Sequence, residues 1–130
     1  MKTKKAFTVV ELMLAIVFVG IFVILFSIQK QNIEAMRRDD QRRTAINAIY
    51  YALEEGYYAQ NNAYPENIEN ADVIPWIDPN LFTDPYGVNL WDGGSNYSYE
   101  TSGCNDGKCS SYTLRAELEK EDDYVKSSRH

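Results

Sequence analysis

The sequence predicts an α+β fold in which one long N-terminal helix packs on a small C-terminal antiparallel sheet. Three observations support this fold: an unbroken apolar run, an amphipathic continuation without proline, and two alternating strand patterns near the end of the chain. With 130 residues, the chain holds one domain at most. Four segments are expected. Residues 1–6 form a basic leader, 7–28 an apolar helix, 29–62 its amphipathic continuation, and 63–130 a region of loops and sheet.

The apolar run extends from Phe7 to Ile28 and is long enough to cross a membrane. As a helix it rises about 33 Å, whereas the hydrocarbon core of a bilayer is roughly 30 Å thick. Lys2, Lys4 and Lys5 precede the run, so the positive-inside rule places the N-terminus in the cytoplasm and the C-terminus outside. An ordinary signal peptide is the alternative, but its apolar core covers only about 7–15 residues.

Glu11 is a carboxylate within this apolar run. A charged side chain in lipid costs roughly 2.5–3.5 kcal/mol on insertion scales, so such residues are usually functional and usually paired. Two interpretations therefore stand side by side. Glu11 pairs with an opposite charge, or it lies near enough to the membrane interface to reach water without a partner.

The residues from Phe7 to Met13, behind a lysine-rich leader, closely resemble the N-terminal signature of type IV pilins and type II secretion pseudopilins. The resemblance implies a prepilin-like signal that a prepilin peptidase cuts between Ala6 and Phe7, followed by methylation of the new Phe7 amine. It also implies that Glu11 of one subunit faces the Phe7 amine of its neighbour in an assembled filament. Such a pair compensates a charge that would otherwise be buried alone.

Two positions depart from the pattern of that family. The family has glycine before the cut, and many major pilins have proline late in the apolar segment, whereas this chain has Ala6 and Ile28 there. Alanine is small enough for a protease subsite. Without the proline, it stays open whether the helix is continuous in a fibre. The resemblance is close over about the first thirty residues and architectural beyond them.

The resemblance further implies a structural subunit of a cell-surface filament, or fimbrium. A type II secretion pseudopilin and a non-polymerising single-pass binding protein are the alternatives. The expected partners are other copies of the chain or other pilins, the prepilin peptidase, an inner-membrane assembly platform and its motor, and the membrane before assembly. Whether the subunit is major or minor, and whether the filament serves adhesion, motility, protein secretion or DNA uptake, stays open.

Beyond the apolar run, three- and four-residue steps predict that one helix continues to about Gln60. A charged stretch from Arg37 to Arg43 lies within it and has no apolar face of its own. This stretch is either a solvated surface with local ion pairs, or a site that pairs with another subunit or with lipid head groups. The apolar face of the helix is expected to carry Ile33, Met36, Ile46, Ile49, Tyr50, Leu53 and Tyr57.

Turn residues recur at short intervals after Asn61. The helix exit at Tyr64-Pro65 resembles that of pseudopilin domains, which implies about thirty residues of largely irregular chain around the helix before the sheet. Large side chains of this region are expected to anchor it to the helix, with an aromatic binding site as the alternative. They are Trp76, Leu81, Phe82 and Trp91.

Two stretches with alternating apolar residues predict a pair of strands. The first has Tyr97 and Tyr99 on one face, and the second extends from Tyr112 to Leu118. A third strand is expected around Tyr124-Val125. The order of the strands stays open, and a further candidate strand is Leu90-Trp91.

The two cysteines, Cys104 and Cys109, lie between the paired strands and flank an Asp-Gly sequence that favours a tight turn. A metal site would need three or four ligands, and the chain has one histidine. Redox pairs are usually closer in sequence. We therefore expect a structural disulfide that clamps the hairpin.

The net charge and the residue types of the chain from Tyr64 onward limit the functions that this region could have. From Tyr64 onward the chain has thirteen Asp and Glu against five Lys and Arg, so direct binding of nucleic acid is not expected. The chain has neither a histidine placed for a nucleophilic pair nor a phosphate-binding glycine loop, so an enzyme is not expected. No cofactor is expected except calcium, for which solvated acidic loops are the alternative. The candidate calcium ligands are Asp84, Asp92, Asp122 and Asp123.

Overall fold

The computed structural model of the protein describes residues 6–130, so the lysines of the predicted leader lie outside the described residues. The fold is α+β, as predicted, with one long helix followed by small antiparallel sheets. The chain divides into an N-terminal unit, which ends at Ala35, and a C-terminal unit, Met36–His130. Helix α1, Val9–Tyr51, contributes residues to both units.

In the N-terminal unit, α1 begins at Val9, two residues after the predicted start. Thr8 accounts for this boundary, because its Oγ1 accepts the backbone N–H of Glu11 at 3.3 Å. Thr8 and Glu11 thus occupy the first and last positions of a Thr-x-x-Glu capping sequence. The carboxylate of Glu11 also lies at the end of the helix where the macrodipole favours negative charge.

Every large apolar side chain from Phe7 to Ile28 is exposed, from 48% at Ile21 to 79% at Phe7. By length and composition, this part of the helix could cross a membrane. A soluble protein rarely exposes a contiguous apolar surface of this size, because water disfavours it. Apolar surfaces of this size are typical of segments that contact lipid or other apolar chains.

The helical segment ends close to the predicted position, but its last turns are not uniform. A π-helical stretch, Ala52–Tyr57, follows α1 and leads into the short helix α2, Tyr58–Asn61. Asn62 adopts a left-handed conformation with φ of 55°, and its N–H donates to the carbonyl of Tyr58 at 2.7 Å. Asparagine tolerates this conformation at a helix C-terminus better than most residues do. The π-helical stretch was not predicted.

The hydrophobic core of the C-terminal unit forms on one face of the helix. Ile46, Ile49 and Leu53 are fully buried there, as predicted. The prediction was wrong for Ile33 and Met36, which are 64% and 59% exposed. Polar residues occupy the buried face one and two turns before Ile46 instead, and they are Asp39 and Arg42.

Within residues 6–130, five strands form two antiparallel sheets, and the strands are β1, Tyr64–Pro65; β2, Tyr97–Ser102; β3, Lys108–Cys109; β4, Ser111–Ala116; and β5, Tyr124–Ser127. The larger sheet has the order β2–β4–β5, and the smaller one joins β1 to β3. The predicted hairpin and the third strand at Tyr124-Val125 are confirmed, although β4 ends before Leu118.

Leu90 and Trp91 do not form a strand, so that prediction was wrong. The two residues lie in a turn, where the N–H of Leu90 donates to the carbonyl of Phe82 at 2.8 Å and the Leu90 side chain is buried. Their apolar character reflects packing against the core rather than strand pairing.

The predicted irregular region before the sheet contains only two short 3₁₀ turns, Ala71–Val73 and Pro79–Phe82. Phe82 is fully buried, and Leu81 and Trp91 pack partly against the core, as predicted. Trp76 is 44% exposed, and its indole lies against Gly56 of the π-helical stretch. This contact needs glycine, because a Cβ at residue 56 would come within 2.4 Å of the indole nitrogen.

Replacing Gly56 with alanine is therefore expected to displace the indole of Trp76 and to lower the free energy of unfolding by about 1–3 kcal/mol. The readout is urea unfolding of the full chain in detergent, together with the emission maximum of Trp76 in a Trp91→Phe background. Gly93→Ala is the matched control, since no atom lies within 4 Å of its added methyl. An unchanged emission maximum in Gly56→Ala would contradict the packing described here.

Candidate functional site

Three of the residues singled out by the sequence lie at the start of the described chain. Ala6 and Phe7 precede α1 and are exposed, and Glu11 lies in the first turn of the helix. Within residues 6–130, the Glu11 carboxylate makes no ion pair. Among the described residues, Glu11 is thus a carboxylate without an ionic partner on the apolar part of the helix.

The charged stretch of α1 forms a buried ion-pair network inside the C-terminal unit. Arg42, only 1% exposed, donates from Nη1 to Asp39 at 2.7 Å and to Glu119 at 3.0 Å. Its Nη2 donates to the side-chain oxygen of Asn96 at 3.0 Å. Asp39 in turn accepts the backbone N–H groups of Glu119 and Lys120 at 2.9 and 3.0 Å. The network therefore joins the helix to the chain that follows β4.

Glu119 lies on the outer side of the same network. Arg38 holds its carboxylate with two hydrogen bonds of 2.7 Å, and the Tyr86 hydroxyl donates to it at 2.9 Å. The hydrogen bonds from Arg38 are the main reason that the pKa of Glu119 is well below its usual range. Burial alone would raise the pKa of Asp39, but its backbone and Arg42 hydrogen bonds outweigh burial and lower it. Both carboxylates therefore stay charged at neutral pH.

This network corrects one interpretation of the charged stretch. Asp39 and Arg42 are buried, so they are not part of a solvated surface. Arg43 pairs with Asp40 at 3.5 Å and with Glu121 within the same chain. The sequence did contain a signal for the burial: Asp39 and Arg42 precede Ile46 at steps of seven and four, which places them on the same helical face.

A second buried carboxylate, Glu54, lies in the π-helical stretch and was not singled out by the sequence. It accepts hydrogen bonds from the hydroxyls of Tyr64, at 3.1 and 3.2 Å, and Tyr112, at 2.8 Å. It also accepts the backbone N–H of Arg129 at 3.1 Å. Burial, followed by the hydrogen bond to Glu54, raises the pKa of both tyrosines well above the usual value. The tyrosines therefore remain donors, and Glu54 joins the helix to β1, β4 and the chain after β5.

Cys104 and Cys109 form the predicted disulfide. The turn between them is tight, with positive φ at Asp106 and Gly107, as the Asp-Gly sequence predicted. The loop is more than the tip of a hairpin, because β3 within it pairs with β1 at the helix exit. Cys109 is buried at this pairing. The disulfide therefore holds a loop that is docked on the chain after the helix.

The four candidate calcium ligands do not converge. Asp84 is buried and accepts the backbone N–H groups of Tyr86, Val88 and Asn96 at 2.9 to 3.0 Å. Asp92 accepts the amide of Asn89 at 2.9 Å, and Asp123 pairs with Arg115 at 3.3 Å. Asp122 is exposed. Within residues 6–130, no three His, Cys, Asp or Glu side chains are grouped so that they could hold a metal ion.

Comparison with known proteins identifies no relative: no family model, no curated protein and no solved structure matches the chain.

Proposed function

We propose that the chain is a structural subunit of a type IV pilus-type filament and is held in the membrane before assembly. The observation that carries the proposal is the exposed apolar part of α1, in whose first turn Glu11 forms no ion pair with any residue of 6–130. The signature from Phe7 to Met13 adds support, since it combines a cleavage junction, an acid and an apolar helix. The folded C-terminal unit supplies a domain that could coat such a fibre.

The proposed mechanism is replacement of lipid by protein around the apolar helix. Cleavage after Ala6 creates an α-amino group on Phe7, and Glu11 of a neighbouring copy compensates this cation in the apolar interior of the fibre. Because lipid tails and apolar side chains are similar solvents for a helix, close packing and the ion pair must favour assembly. A partner motor supplies the energy that extracts each subunit from the membrane.

Glu11 has two separable roles in this proposal, one within its own helix and one between subunits. Its backbone N–H is capped by Thr8, and an acid in the first turn favours the helix. Glutamine also suits the last position of a capping sequence but carries no charge. The substitution Glu11→Gln therefore removes the proposed ion pair and retains the cap.

Glu11→Gln is expected to leave the protein folded, inserted in the membrane and methylated at Phe7, but to lower the yield of sheared fibres about tenfold or more. A tenfold change corresponds to about 1.4 kcal/mol, which is modest for an ion pair that loses one buried partner. The measurement compares fibre yield with the amount of mature protein left in the membrane.

The matched control is Thr8→Ala, which removes the cap and leaves the Glu11 charge in place. We expect it to change fibre yield less than Glu11→Gln does. Normal fibre yield from Glu11→Gln would contradict the proposed ion pair. Mass spectrometry of the native protein tests the proposal itself, because an intact Met1 instead of a methylated Phe7 would favour a single-pass binding protein.

A further inference from the structure

The apolar part of α1 contains one glycine, Gly20, and no contact within the described chain requires glycine there. Its φ is not positive, and a Cβ added to it would meet no atom within 4 Å among residues 6–130. Gly56 differs in this respect, because the indole of Trp76 fills the space of its missing side chain. Since glycine within a helix is less stabilising than alanine, the space over Gly20 points to a second molecule that approaches the helix there.

This space is a shallow notch on one face of the helix. The side chains one turn before and after Gly20 border it, and all of them are exposed: Ile16, Val17, Val23 and Ile24. We call this surface the glycine notch.

A row of aromatic side chains lies on the opposite face of the same helix. Phe18, Phe22 and Phe26 follow one another at steps of four and are 60% to 74% exposed, so they form a phenylalanine ridge along the helix. Successive helical residues are about 100° apart around the axis, so Phe18 and Phe22, two residues before and after Gly20, lie about 160° from it. One helix therefore has a ridge on one face and a notch on the other.

The two surfaces complement each other between copies of the chain. Rows of protruding side chains pack into the grooves of a facing helix, and small residues let two helix backbones approach closely in a membrane. Because the two surfaces lie on opposite faces, each copy can offer its ridge to one neighbour and its notch to another. A contact of this heterologous kind builds rings or open helical filaments instead of closed dimers.

The position of Glu11 indicates which neighbour meets the ridge. Glu11 precedes Phe18 by seven residues, or about two helical turns, so both lie on the same face. In the proposed filament, Glu11 attracts the Phe7 amine of a neighbouring copy. The copy that supplies this cation therefore approaches the face that carries the ridge.

The same ion pair sets the axial position of that neighbour. When the Phe7 amine of the neighbour lies level with Glu11, the two parallel helices are shifted by four residues, or about 6 Å. A shift of four residues brings Gly20 of the neighbour to the level between Phe22 and Phe26. Charge pairing and packing thus favour one and the same register.

We propose that the phenylalanine ridge of one copy packs into the glycine notch of the next copy of this chain. The inference rests on the proposed function and assigns to it the two faces of the apolar helix that meet in the fibre. Lipid covers both surfaces before assembly, and the close approach over Gly20 is made only between copies.

The test uses a photo-crosslinking residue in the full chain. Benzoylphenylalanine replaces Phe22, which keeps an aromatic ring in the ridge. Irradiation of fibres is expected to give a covalent dimer, and mass spectrometry is expected to map the second site to the notch around Gly20. Adding Gly20→Leu fills the notch and is expected to lower the dimer yield about tenfold, and Gly20→Ala much less. Leucine favours a helix more than glycine does, so a weaker helix would not explain the loss.

Ile21→Trp is the control, because it also adds bulk to the apolar helix but lies about 100° from Gly20, on a side that belongs to neither surface. It is expected to leave the crosslink to the notch in place. If benzoylphenylalanine prevents assembly, the yield of sheared fibres is the readout, and it is expected to fall with Gly20→Leu and not with Ile21→Trp.

Three results would overturn the inference while the filament proposal stands. They are crosslinks confined to lipid, crosslinks to the ridge of the second copy, and dimers or fibres that are insensitive to Gly20→Leu. If the unsubstituted chain is unmethylated and forms no fibres, the proposed function fails and the inference fails with it.

Discussion

Replacing Arg42 with alanine is expected to lower the free energy of unfolding of the C-terminal unit by about 3–5 kcal/mol. Arg42 is almost fully buried and contacts Asp39, Glu119 and Asn96. Its removal leaves the Asp39 carboxylate buried without its cation and opens a cavity between the helix and the sheet side of the unit. The measurement is urea unfolding of the full chain in detergent, followed by tyrosine and tryptophan fluorescence.

Two further variants show how much of the stability loss comes from the charge of Arg42, how much from its volume, and how much from the burial of its ion pairs. Arg42→Met retains most of the side-chain volume, so it is expected to restore part of the loss but not the compensation of Asp39. Arg115→Met removes a half-exposed ion pair with Asp123 and is expected to cost at most about 1 kcal/mol. Equal effects of Arg42→Ala and Arg115→Met would show that the network contributes little more than a surface pair.

The second large effect is expected at Glu54, where substitution by alanine should cost about 3 kcal/mol. Glu54 accepts the hydroxyls of Tyr64 and Tyr112, and both tyrosine side chains are buried. Alanine leaves these donors without their acceptor, and a lost hydrogen bond to a charged group costs about 1.5–3 kcal/mol. The same urea titration measures the change.

The chain offers a control for Glu54 at the next residue. Glu55 is exposed and pairs only at the surface with Arg129, so Glu55→Ala is expected to change stability little. Glu54→Gln retains the shape and one carbonyl acceptor, and its effect is expected to lie between those of the two alanine variants. If Glu54→Ala and Glu55→Ala were equally mild, the hydrogen bonds to Glu54 would not stabilise the fold.

Local patterns were sufficient to predict most elements of this protein. Helical periodicity placed Ile46, Ile49 and Leu53 in the core, and alternation placed the hairpin strands on either side of the disulfide loop. These predictions held because the spacing of apolar residues fixes which side of a helix or strand avoids water. The proposed assembly residues Phe7 and Glu11 stay predictions, since they concern contacts between chains.

Helical periodicity did not predict which residues are buried in the part of the helix where polar groups pack against the core. Ile33 and Met36 fitted the apolar spacing but are exposed, whereas Asp39 and Arg42 are buried because the backbone after β4 and the Glu119 side chain complete their hydrogen bonds. The sequence predicted Leu90 as part of a candidate strand, but the residue lies in a turn that places its side chain in the core. The partners of Asp39 and Arg42 in the chain after β4 lie far away in sequence, so helical periodicity could not reveal them.

The sequence by itself determined the long apolar helix, the disulfide hairpin and an acidic C-terminal region, because each depends on neighbouring residues or on composition. Only the tertiary structure decided which charges are buried and that Glu54 joins the helix to two tyrosines. The physical reason is that burying a charge is favourable only with compensating partners. Those partners are brought together by the fold.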